Sequence, residues 1–453
     1  MNPDAIDDQT GAGRKHRFLL AMWEGGGTVP PELGLARRLI ERGHVVHVIA
    51  DPTIEAEALA AGCSFRPWRE APACAARSPE AALIRDWEDK SMMQTVNEYV
   101  ETFLCGPAPR YARDTLQALD ETGADVVLCD WVMIGASMAA EARGVPRIGL
   151  MPNTYILPVK GIPPMGPGLA PARGPIGHAR DWAMRTMMTK MFNRGTATTN
   201  KARAELGLPP IAGLIDQFLN VDEFLVLTAE AFDFPSAHLP ANVRYVGPVL
   251  DDPTWADDSS VQWPTGNDGP RVLVGLSSSF QNQGAVIAKI IAALSTLPVR
   301  AIVTLGEQLS LSDFPSTDNV TVVQSAPHGP LLKEADAIVT HCGHGTAIKA
   351  MCAGVPAVCI PMGRDQNEAA ARIVARHAGV RLKTKASAAQ IAAAVRKVLD
   401  DPSYREGAQT LGRRINVERS RMDPADALLA AIPTSAAARG VRPRQGSNLR
   451  PAV

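Results

Sequence analysis

The segment that most constrains the fold of this chain runs from residue 337 to residue 381, where apolar runs alternate with turns of small or polar residues. Residues 337–340 are predicted as a short buried strand, and a turn of small residues follows from 341 to 346. A helix is expected from about residue 346 to 353, because glycine and proline come directly after it. Residues 357–360 form a second apolar run. This order of strand, turn, helix and strand is typical of a parallel α/β sheet.

The turn His-Cys-Gly-His-Gly-Thr at residues 341–346 predicts a site for an anion such as phosphate. A turn of this kind directs backbone N–H groups and a helix N-terminus at one place, and both favour negative charge. The imidazole of His341 stands at the strand end, where it can donate to a phosphate oxygen. The predicted phosphate-binding residues of this turn are His341, Gly343, Gly345 and Thr346.

Polar residues also follow the next strand end, where Asp365 and Gln366 are expected to face the same crevice. A carboxylate beside an amide suits the vicinal hydroxyl groups of a sugar. An ordinary βαβ unit with two incidental histidines is the alternative. Polar side chains at both strand ends favour the ligand site.

These residues carry a family resemblance. The segment resembles the nucleotide-sugar signature of the inverting glycosyltransferases that modify natural products, a family that includes macrolide and UDP-dependent small-molecule transferases. His-Cys-Gly-His-Gly-Thr is similar to the start of that signature, and Pro-Met-Gly-Arg-Asp-Gln at residues 361–366 is similar to its end. The resemblance implies the α/β fold called GT-B, in which two Rossmann-like domains face each other across a cleft. The first domain of such a protein binds the acceptor, and the second binds the donor.

The length of 453 residues exceeds one hydrophobic core, so two domains are expected on general grounds as well. Residues 15–250 are predicted as the acceptor-binding domain and residues 271–433 as the donor-binding domain. The linker at 251–270 is rich in Pro, Gly, Asp and Ser. Residues 1–14 and 434–453 are predicted to be disordered tails.

Charge and hydropathy exclude several classes of function. A formal net charge of -1 gives no support for nucleic acid as a partner. The sequence shows no secretory signal and no apolar run long enough to span a bilayer, so we expect a cytoplasmic protein. A glycine-rich turn at 25–27 also raises the possibility of dinucleotide binding, but Thr28 and Pro30 break the GxGxxG spacing.

Catalysis is where the sequence departs from the family. The resemblance implies a histidine base in the first turn, in a His-x-x-Pro pattern, paired with an aspartate from a later strand end. Thr28 stands at the histidine position, and Asp130 matches the aspartate. A threonine cannot act as a general base near neutral pH. Three alternatives remain: Asp130 is the base, Glu24 is the base, or the acceptor is acidic enough to need little help.

The donor is expected to bind without a metal ion, because no Asp-x-Asp motif is placed to hold a divalent cation on a diphosphate. Hydroxyl groups after the strand at 271–276, including Ser277 and Ser278, are predicted to contact the diphosphate; a helix N-cap is a compatible role. The resemblance assigns base and ribose contacts to Ser325, Ala326 and His328. The usual stacking aromatic falls at Ser325 and the usual ribose-binding glutamate at Lys349, which leaves UDP and dTDP as alternatives.

The acceptor pocket is predicted from large apolar side chains in the first half of the chain, namely Trp87, Met92 and Trp131. Methionines at 184, 187, 188 and 191 recur at helical spacing, which is more typical of a core stripe.

The sequence therefore predicts transfer of a hexose or deoxyhexose from a UDP- or dTDP-sugar to a hydroxyl group of a hydrophobic natural product, with no cofactor. The nucleotide sugar is a co-substrate, and the expected setting is secondary or antibiotic metabolism. The alternative is a sugar-nucleotide-binding partner protein that has lost catalysis, an interpretation that Thr28 alone motivates.

Overall fold

The structure, a computed structural model, describes residues 14–88, 90, 92–253, 256 and 261–432, and of residues 92 and 93 only the backbone. The predicted disordered tails at 1–14 and 434–453 therefore lie outside the described residues, apart from Arg14.

The first half of the chain forms a parallel seven-stranded sheet in the order β3-β2-β1-β4-β5-β6-β7. Its strands are β1 (Arg17–Ala21), β2 (Val45–Ala50), β3 (Ser64–Pro67), β4 (Val126–Asp130), β5 (Arg147–Met151), β6 (Glu223–Val226) and β7 (Val243–Tyr245). The helices of this half are α1 (Val29–Glu41), α2 (Glu55–Ala60), α3 (Met92–Asn97), α4 (Ala108–Thr122), α5 (Ile134–Arg143), α6 (Gly174–Phe192), α7 (Thr196–Glu205) and α8 (Leu214–Leu219). A π-helical segment, Glu98–Cys105, continues directly from α3.

The second half forms a parallel six-stranded sheet in the order β10-β9-β8-β11-β12-β13. Its strands are β8 (Arg271–Gly275), β9 (Arg300–Thr304), β10 (Val320–Val323), β11 (Ala337–Thr340), β12 (Ala357–Cys359) and β13 (Gly379–Arg381). The helices are α9 (Gly284–Leu294), α10 (His328–Glu334), α11 (His344–Cys352), α12 (Gln366–Ala375), α13 (Ala388–Asp400), α14 (Pro402–Arg421) and α15 (Pro424–Ala431). The two sheets confirm the predicted pair of Rossmann-like α/β domains.

The central strands are apolar along their length because helices cover both faces of each sheet. Phe18, Leu19 and Leu20 in β1 are all fully buried. Helix α1 begins with prolines in its first turn, where the missing N–H costs no hydrogen bond. It is followed by Gly43, whose φ of 85° allows the chain to turn back into β2.

Helix α15 returns to the first domain. Leu428 is buried among residues of β1, β2 and α1, and Arg42 Nε, directly after α1, donates to Asp426 Oδ1 at 2.7 Å. The predicted donor range of 271–433 thus includes a segment that packs on the first domain. A short Ala- and Leu-rich helix gives no sequence signal of which core it covers.

The strand order of each sheet contains one switch point. In each sheet the order reverses between two central strands, β1 and β4 in the first and β8 and β11 in the second. Ligands of open parallel sheets bind outside the carboxyl ends of the strands at such points. The turns after these strands therefore define where a site is expected. Within the described part of the chain, no helix has the length and apolarity that a membrane crossing requires.

Candidate active site

A cavity of about 590 Å³ lies between the two domains and is lined by the turns after β1, β8, β11 and β12. Most of the residues predicted for the site line this one cavity. They are Glu24, Thr28, Trp131, Ser277, Ser278, Ser325, Ala326, His328, His341, Gly343, Gly345, Thr346, Asp365 and Gln366. Asp130 and Trp87 are not among the lining residues, and the side chain of Met92 lies outside what the structure describes.

The anion turn after β11 has the geometry of a phosphate cradle. Gly343 is the N-cap of α11 and offers no side chain to the first N–H groups of the helix, which leaves them available to a ligand. A Cβ atom at Gly343 would lie 2.4 Å from His341 Nε2, so only glycine fits beneath that ring. Cys342 holds a φ of 67°, a conformation that non-glycine residues rarely adopt.

Burial favours the neutral form of the His341 imidazole. Burial lowers its pKa to about 3, and a hydrogen bond to the Gly275 backbone opposes that shift. Its Nδ1 atom has no hydrogen-bond partner among the described residues. A nearby phosphate would favour the charged form, because an opposite charge raises the pKa of a histidine.

The serine turn after β8 lies beside the cradle. Ser277 Oγ and Ser279 Oγ are 3.2 Å apart, and Ser277 is almost fully buried. Gly26 of the first domain approaches this turn closely: a Cβ atom there would lie 3.3 Å from Ser278 Oγ, and its φ is 68°. The two domains thus meet at the point where the diphosphate is expected.

Asp365 and Gln366 differ in the hydrogen-bonding groups that remain available to a sugar. Gln366 Oε1 accepts from the backbone of Met362 at 2.8 Å and of Gly363 at 3.2 Å, while its Nε2 donates to Gln281 at 2.7 Å. One N–H of its amide remains for a ligand. Burial raises the pKa of Asp365, and its half-buried carboxyl group faces the cavity as an acceptor.

The expected ribose end of the cavity carries a cation. Lys349 Nζ donates to the Asp251 carbonyl at 2.9 Å and forms an ion pair with Asp252 of the linker. His328 Nε2 lies 3.0 Å from Thr304 Oγ1. Burial, with the charge of Lys349 nearby, lowers the pKa of His328 to about 4. The carboxylate at this end comes from the linker and not from α11.

The part of the cavity in the first domain is apolar. Its lining includes Trp23, Val96, Tyr99, Val100, Leu104, Trp131, Ile156, Met165 and Phe192. Trp131 lines it as predicted, whereas the ring of Trp87 packs edge-on against Phe280 with centroids 5.1 Å apart. The expectation that methionines 184, 187, 188 and 191 form a core stripe is wrong, because all four line the cavity. Helix α6 lies over the cavity, so its apolar stripe faces open volume.

Neither predicted carboxylate base is free in this structure. Glu24 accepts from Arg77 Nε at 2.9 Å, from Thr53 Oγ1 at 3.0 Å and from the Gly26 backbone at 3.1 Å. These bonds hold the first turn in place. Glu24 therefore acts as an anchor of the turn that Thr28 shares.

Asp130 was expected to face the cleft, and the structure corrects this. Its side chain is fully buried, and Oδ1 accepts from the Val132 backbone at 3.0 Å. The Trp23 indole and the carboxyl group of Glu32 lie near it, but Asp130 Oδ2 and both carboxyl oxygens of Glu32 have no hydrogen-bond partner among the described residues. Thr28 lines the cavity in its place, and Thr28 Oγ1 has no hydrogen-bond partner among the described residues.

Two residues of this region, Glu32 and Arg364, were not predicted from the sequence as site residues. Glu32 lies in the first turn of α1, where an acidic residue is ordinary and gives no warning of burial. Arg364 forms bonds with Asp86 and Ser279 within the cavity. The sequence indicated a site role for Arg364 only by its position in a polar loop, between a glycine and Asp365.

The chain is similar in sequence to known proteins. The sequence profile of a family described as erythromycin biosynthesis protein CIII-like, C-terminal domain, matches residues 288–427. The chain is 28% identical over 401 residues to 4'-demethylrebeccamycin synthase of Lentzea aerocolonigenes, which covers 87% of this chain and 94% of that protein.

Solved structures share the fold. The kitacinnamycin glycotransferase superposes with a TM-score of 0.72 at 22% identity, over 93% of this chain and 100% of that one. The glycosyltransferase VinC, solved in complex with dTDP, gives a TM-score of 0.61 at 18% identity, over 92% and 98% of the two chains.

Proposed function

Because this chain belongs to the GT-B glycosyltransferases that modify natural products, we propose that it transfers a hexose or deoxyhexose from a UDP- or dTDP-sugar to a hydroxyl group of an apolar small molecule. The transfer inverts the anomeric centre and uses neither a metal ion nor a cofactor. The observation that carries this proposal is the continuity of the cavity. One cavity joins the anion turn after β11 to the apolar part beneath α6 in the first domain, which we call the apolar chamber.

The donor end supports a nucleoside diphosphate sugar. The free N-terminus of α11, Thr346 and the serine turn converge on one place, and Asp365 lies at the next strand end. Donors fixed in this way stabilise charge on a leaving group without reorganising during the reaction. The dTDP bound to VinC makes that nucleotide the first to test.

The acceptor end supports a bulky apolar molecule. Methionine side chains adapt to irregular shapes, and α6 contributes four of them to the lining. Trp23 and Trp131 add flat aromatic surfaces. Such a chamber suits a ring system with few polar groups.

The missing base points to the chemistry of the acceptor. Thr28 cannot accept a proton near neutrality, Glu24 is held by Arg77, and Asp130 is enclosed. A hydroxyl group of lowered pKa, such as a phenol, needs less help in losing its proton. We therefore expect phenolic acceptors to be preferred.

The test mixes the purified chain with UDP- and dTDP-sugars and with phenolic and aliphatic polycyclic acceptors, in buffer containing EDTA. We expect nucleoside diphosphate release and a glycosylated product whose anomeric configuration is opposite to that of the donor. Product with retained configuration would contradict the inverting mechanism. Loss of activity in EDTA that a divalent metal restores would contradict metal independence. Donor binding without turnover on any acceptor would favour the non-catalytic alternative.

A further inference from the structure

The side chain of Arg364 crosses in front of the anion turn. Arg364 belongs to the loop after β12, and its Nη1 donates to Ser279 Oγ, in the turn after β8, at 2.7 Å. Strand β11 lies between β8 and β12 in the sheet. The guanidinium therefore bridges the two loops that flank the turn containing His341 and Gly343, and its charge acts on the His341 ring.

The backbone of Arg364 is held in an uncommon conformation. Its φ is 53°, in the left-handed region that non-glycine residues rarely adopt. Cys342 in the neighbouring anion turn has a φ of 67°. Strained residues of this kind cluster at ligand sites, where the surrounding structure fixes them in place. The loop thus directs this arginine into the cavity.

The other cationic side chains that line the cavity, Arg77 and Lys349, form ion pairs away from the serine turn. Arg77 forms ion pairs with Glu24, Glu57 and Glu307. Lys349 is paired with Asp252 at the expected ribose end. Of the lysines and arginines that line the described cavity, Arg364 is the one that contacts the serine turn.

The present partner of Arg364 is a single carboxylate that reaches in from the first domain. Arg364 Nε lies 2.6 Å from Asp86 Oδ2, and Nη2 lies 3.2 Å from Asp86 Oδ1. Asp86 lines the same cavity. A guanidinium pairs with phosphate in the same two-bond geometry as with a carboxylate. An incoming diphosphate therefore offers Arg364 an equivalent partner of higher charge.

We propose that Arg364 binds the β-phosphate of the donor and stabilises the leaving nucleoside diphosphate, exchanging its ion pair with Asp86 for one with phosphate. This role rests on the proposed function and adds a residue to the same site. During transfer the bond from the anomeric carbon to the β-phosphate oxygen breaks, and its electron pair stays on that oxygen. The acceptor oxygen forms the new bond to carbon and releases its proton to solvent. Arg364 meets the charge that develops on the phosphate.

Binding of nucleotides without a sugar tests this role by calorimetry. The probes are dTDP and UDP, with dTMP and UMP as the matched ligands that lack the β-phosphate. Arg364→Gln is expected to weaken diphosphate binding about ten- to hundredfold, as for loss of hydrogen bonds to a charged group, and to leave monophosphate binding nearly unchanged. Turnover is expected to fall further, by roughly 10²–10³-fold, because the charge is largest in the transition state.

Asp86→Asn separates this role from a purely structural one. If Asp86 competes with phosphate for the guanidinium, its neutral variant binds diphosphate several-fold more tightly than the wild type does. If the pair only holds the two domains together, both variants weaken diphosphate binding. Opposite effects of Arg364→Gln and Asp86→Asn are therefore the expected result.

Arg381→Gln is the matched control. Arg381 Nη1 also bonds across the domains, to the Pro167 carbonyl at 3.0 Å, but Arg381 does not line the cavity. We expect the Arg381→Gln variant to bind nucleoside diphosphates with the affinity of the wild type. Equal losses for monophosphate and diphosphate in Arg364→Gln, or weaker diphosphate binding in Asp86→Asn, would overturn the role of Arg364 alone. A wild-type protein that binds no nucleoside diphosphate would contradict the proposed function itself.

Discussion

The carboxyl groups of Glu32 and Asp130 lie next to each other in a part of the first domain that solvent does not reach. Two carboxylates cannot both remain charged in such a place, so one of them keeps a proton. Burial, reinforced by the adjacent negative charge, raises the pKa of Glu32 well above its ordinary value. Burial raises the pKa of Asp130 to about 6, and the hydrogen bond from the Val132 backbone opposes the shift. Glu32 is therefore the protonated partner at neutral pH.

This pair predicts how stability depends on pH. The folded protein keeps a proton on Glu32 that the unfolded chain releases above about pH 4.3. The folded state then binds more protons, so the free energy of unfolding falls as pH rises from that value. Glu32→Gln removes this titrating proton. We therefore expect the free energy of unfolding of the variant to fall less steeply with pH than that of the wild type, the two slopes differing by up to about 1.4 kcal/mol per pH unit. Urea denaturation at several pH values between about 5 and 8 measures both slopes.

Glu41→Gln is the control for this experiment, since Glu41 lies on the same helix α1 with a largely exposed side chain. Its slope is expected to equal that of the wild type. If Glu32→Gln also followed the wild-type slope, the carboxyl of Glu32 would be ionised in the folded protein, and the shared proton would be disproved.

The enclosure of Asp130 predicts a small catalytic effect of Asp130→Asn. A general base contributes roughly 10²–10⁴-fold, and more for an aliphatic alcohol than for a phenol. Because its carboxyl group is fully buried and accepts from the Val132 backbone, we expect kcat to fall by less than about tenfold, and equally for both acceptor classes. Steady-state kinetics with one phenol and one alcohol distinguish a general base from a buried structural residue. A loss of a hundredfold or more that is confined to the alcohol would make Asp130 the base.

The anion turn could be predicted from sequence because its signals are local. Small residues at 341–346, an apolar run before them and a helix after them specify the turn after β11 without reference to the rest of the chain. The polar loop at Asp365 followed from the same strand pattern.

The contacts that decide chemistry could not be predicted in this way, since they join distant parts of the chain. Asp86 and Arg364 are 278 positions apart, and Glu32 meets Asp130 from a different element. The methionines of α6 have the same spacing in a core as in a lining. Only the position of α6 over the cavity separates the two interpretations.

Asp365 is expected to recognise the sugar and not the nucleotide. Asp365→Ala removes a carboxylate from the cavity, and loss of its hydrogen bonds to sugar hydroxyl groups costs about 1.5–3 kcal/mol. Binding of the sugar nucleotide is expected to weaken accordingly, while binding of free dTDP stays unchanged. Calorimetry with both ligands measures the difference. Asp401→Ala, which removes a helix N-cap of the same domain, is the control. Equal losses for both ligands would give Asp365 a structural role.

The lining role of α6 predicts that Met188 determines acceptor affinity. Met188→Ala removes apolar surface from the chamber, and full burial of such a side chain is worth about 1.5–3 kcal/mol. We expect the KM for an apolar acceptor to rise about tenfold, with the KM for the donor unchanged. Trp182→Ala, an exposed position on the same helix, is expected to affect neither constant. A rise in both KM values for Met188→Ala would indicate that the helix had lost its position.

The absence of a free base predicts that turnover follows the acidity of the acceptor. In a series of substituted phenols, kcat/KM is expected to rise as the phenol pKa falls, because the enzyme contributes little to removing the proton. For each phenol, kcat/KM is expected to rise with pH until the pH passes the pKa of that phenol. Thr28→His places an imidazole at the turn, where Thr28 lines the cavity and its buried Oγ1 has no described hydrogen-bond partner. This variant is expected to flatten the dependence on acceptor pKa and to gain activity on aliphatic alcohols. A wild-type rate that is indifferent to phenol acidity would mean that a base operates in this cavity, and Glu24→Gln would be the first variant to measure.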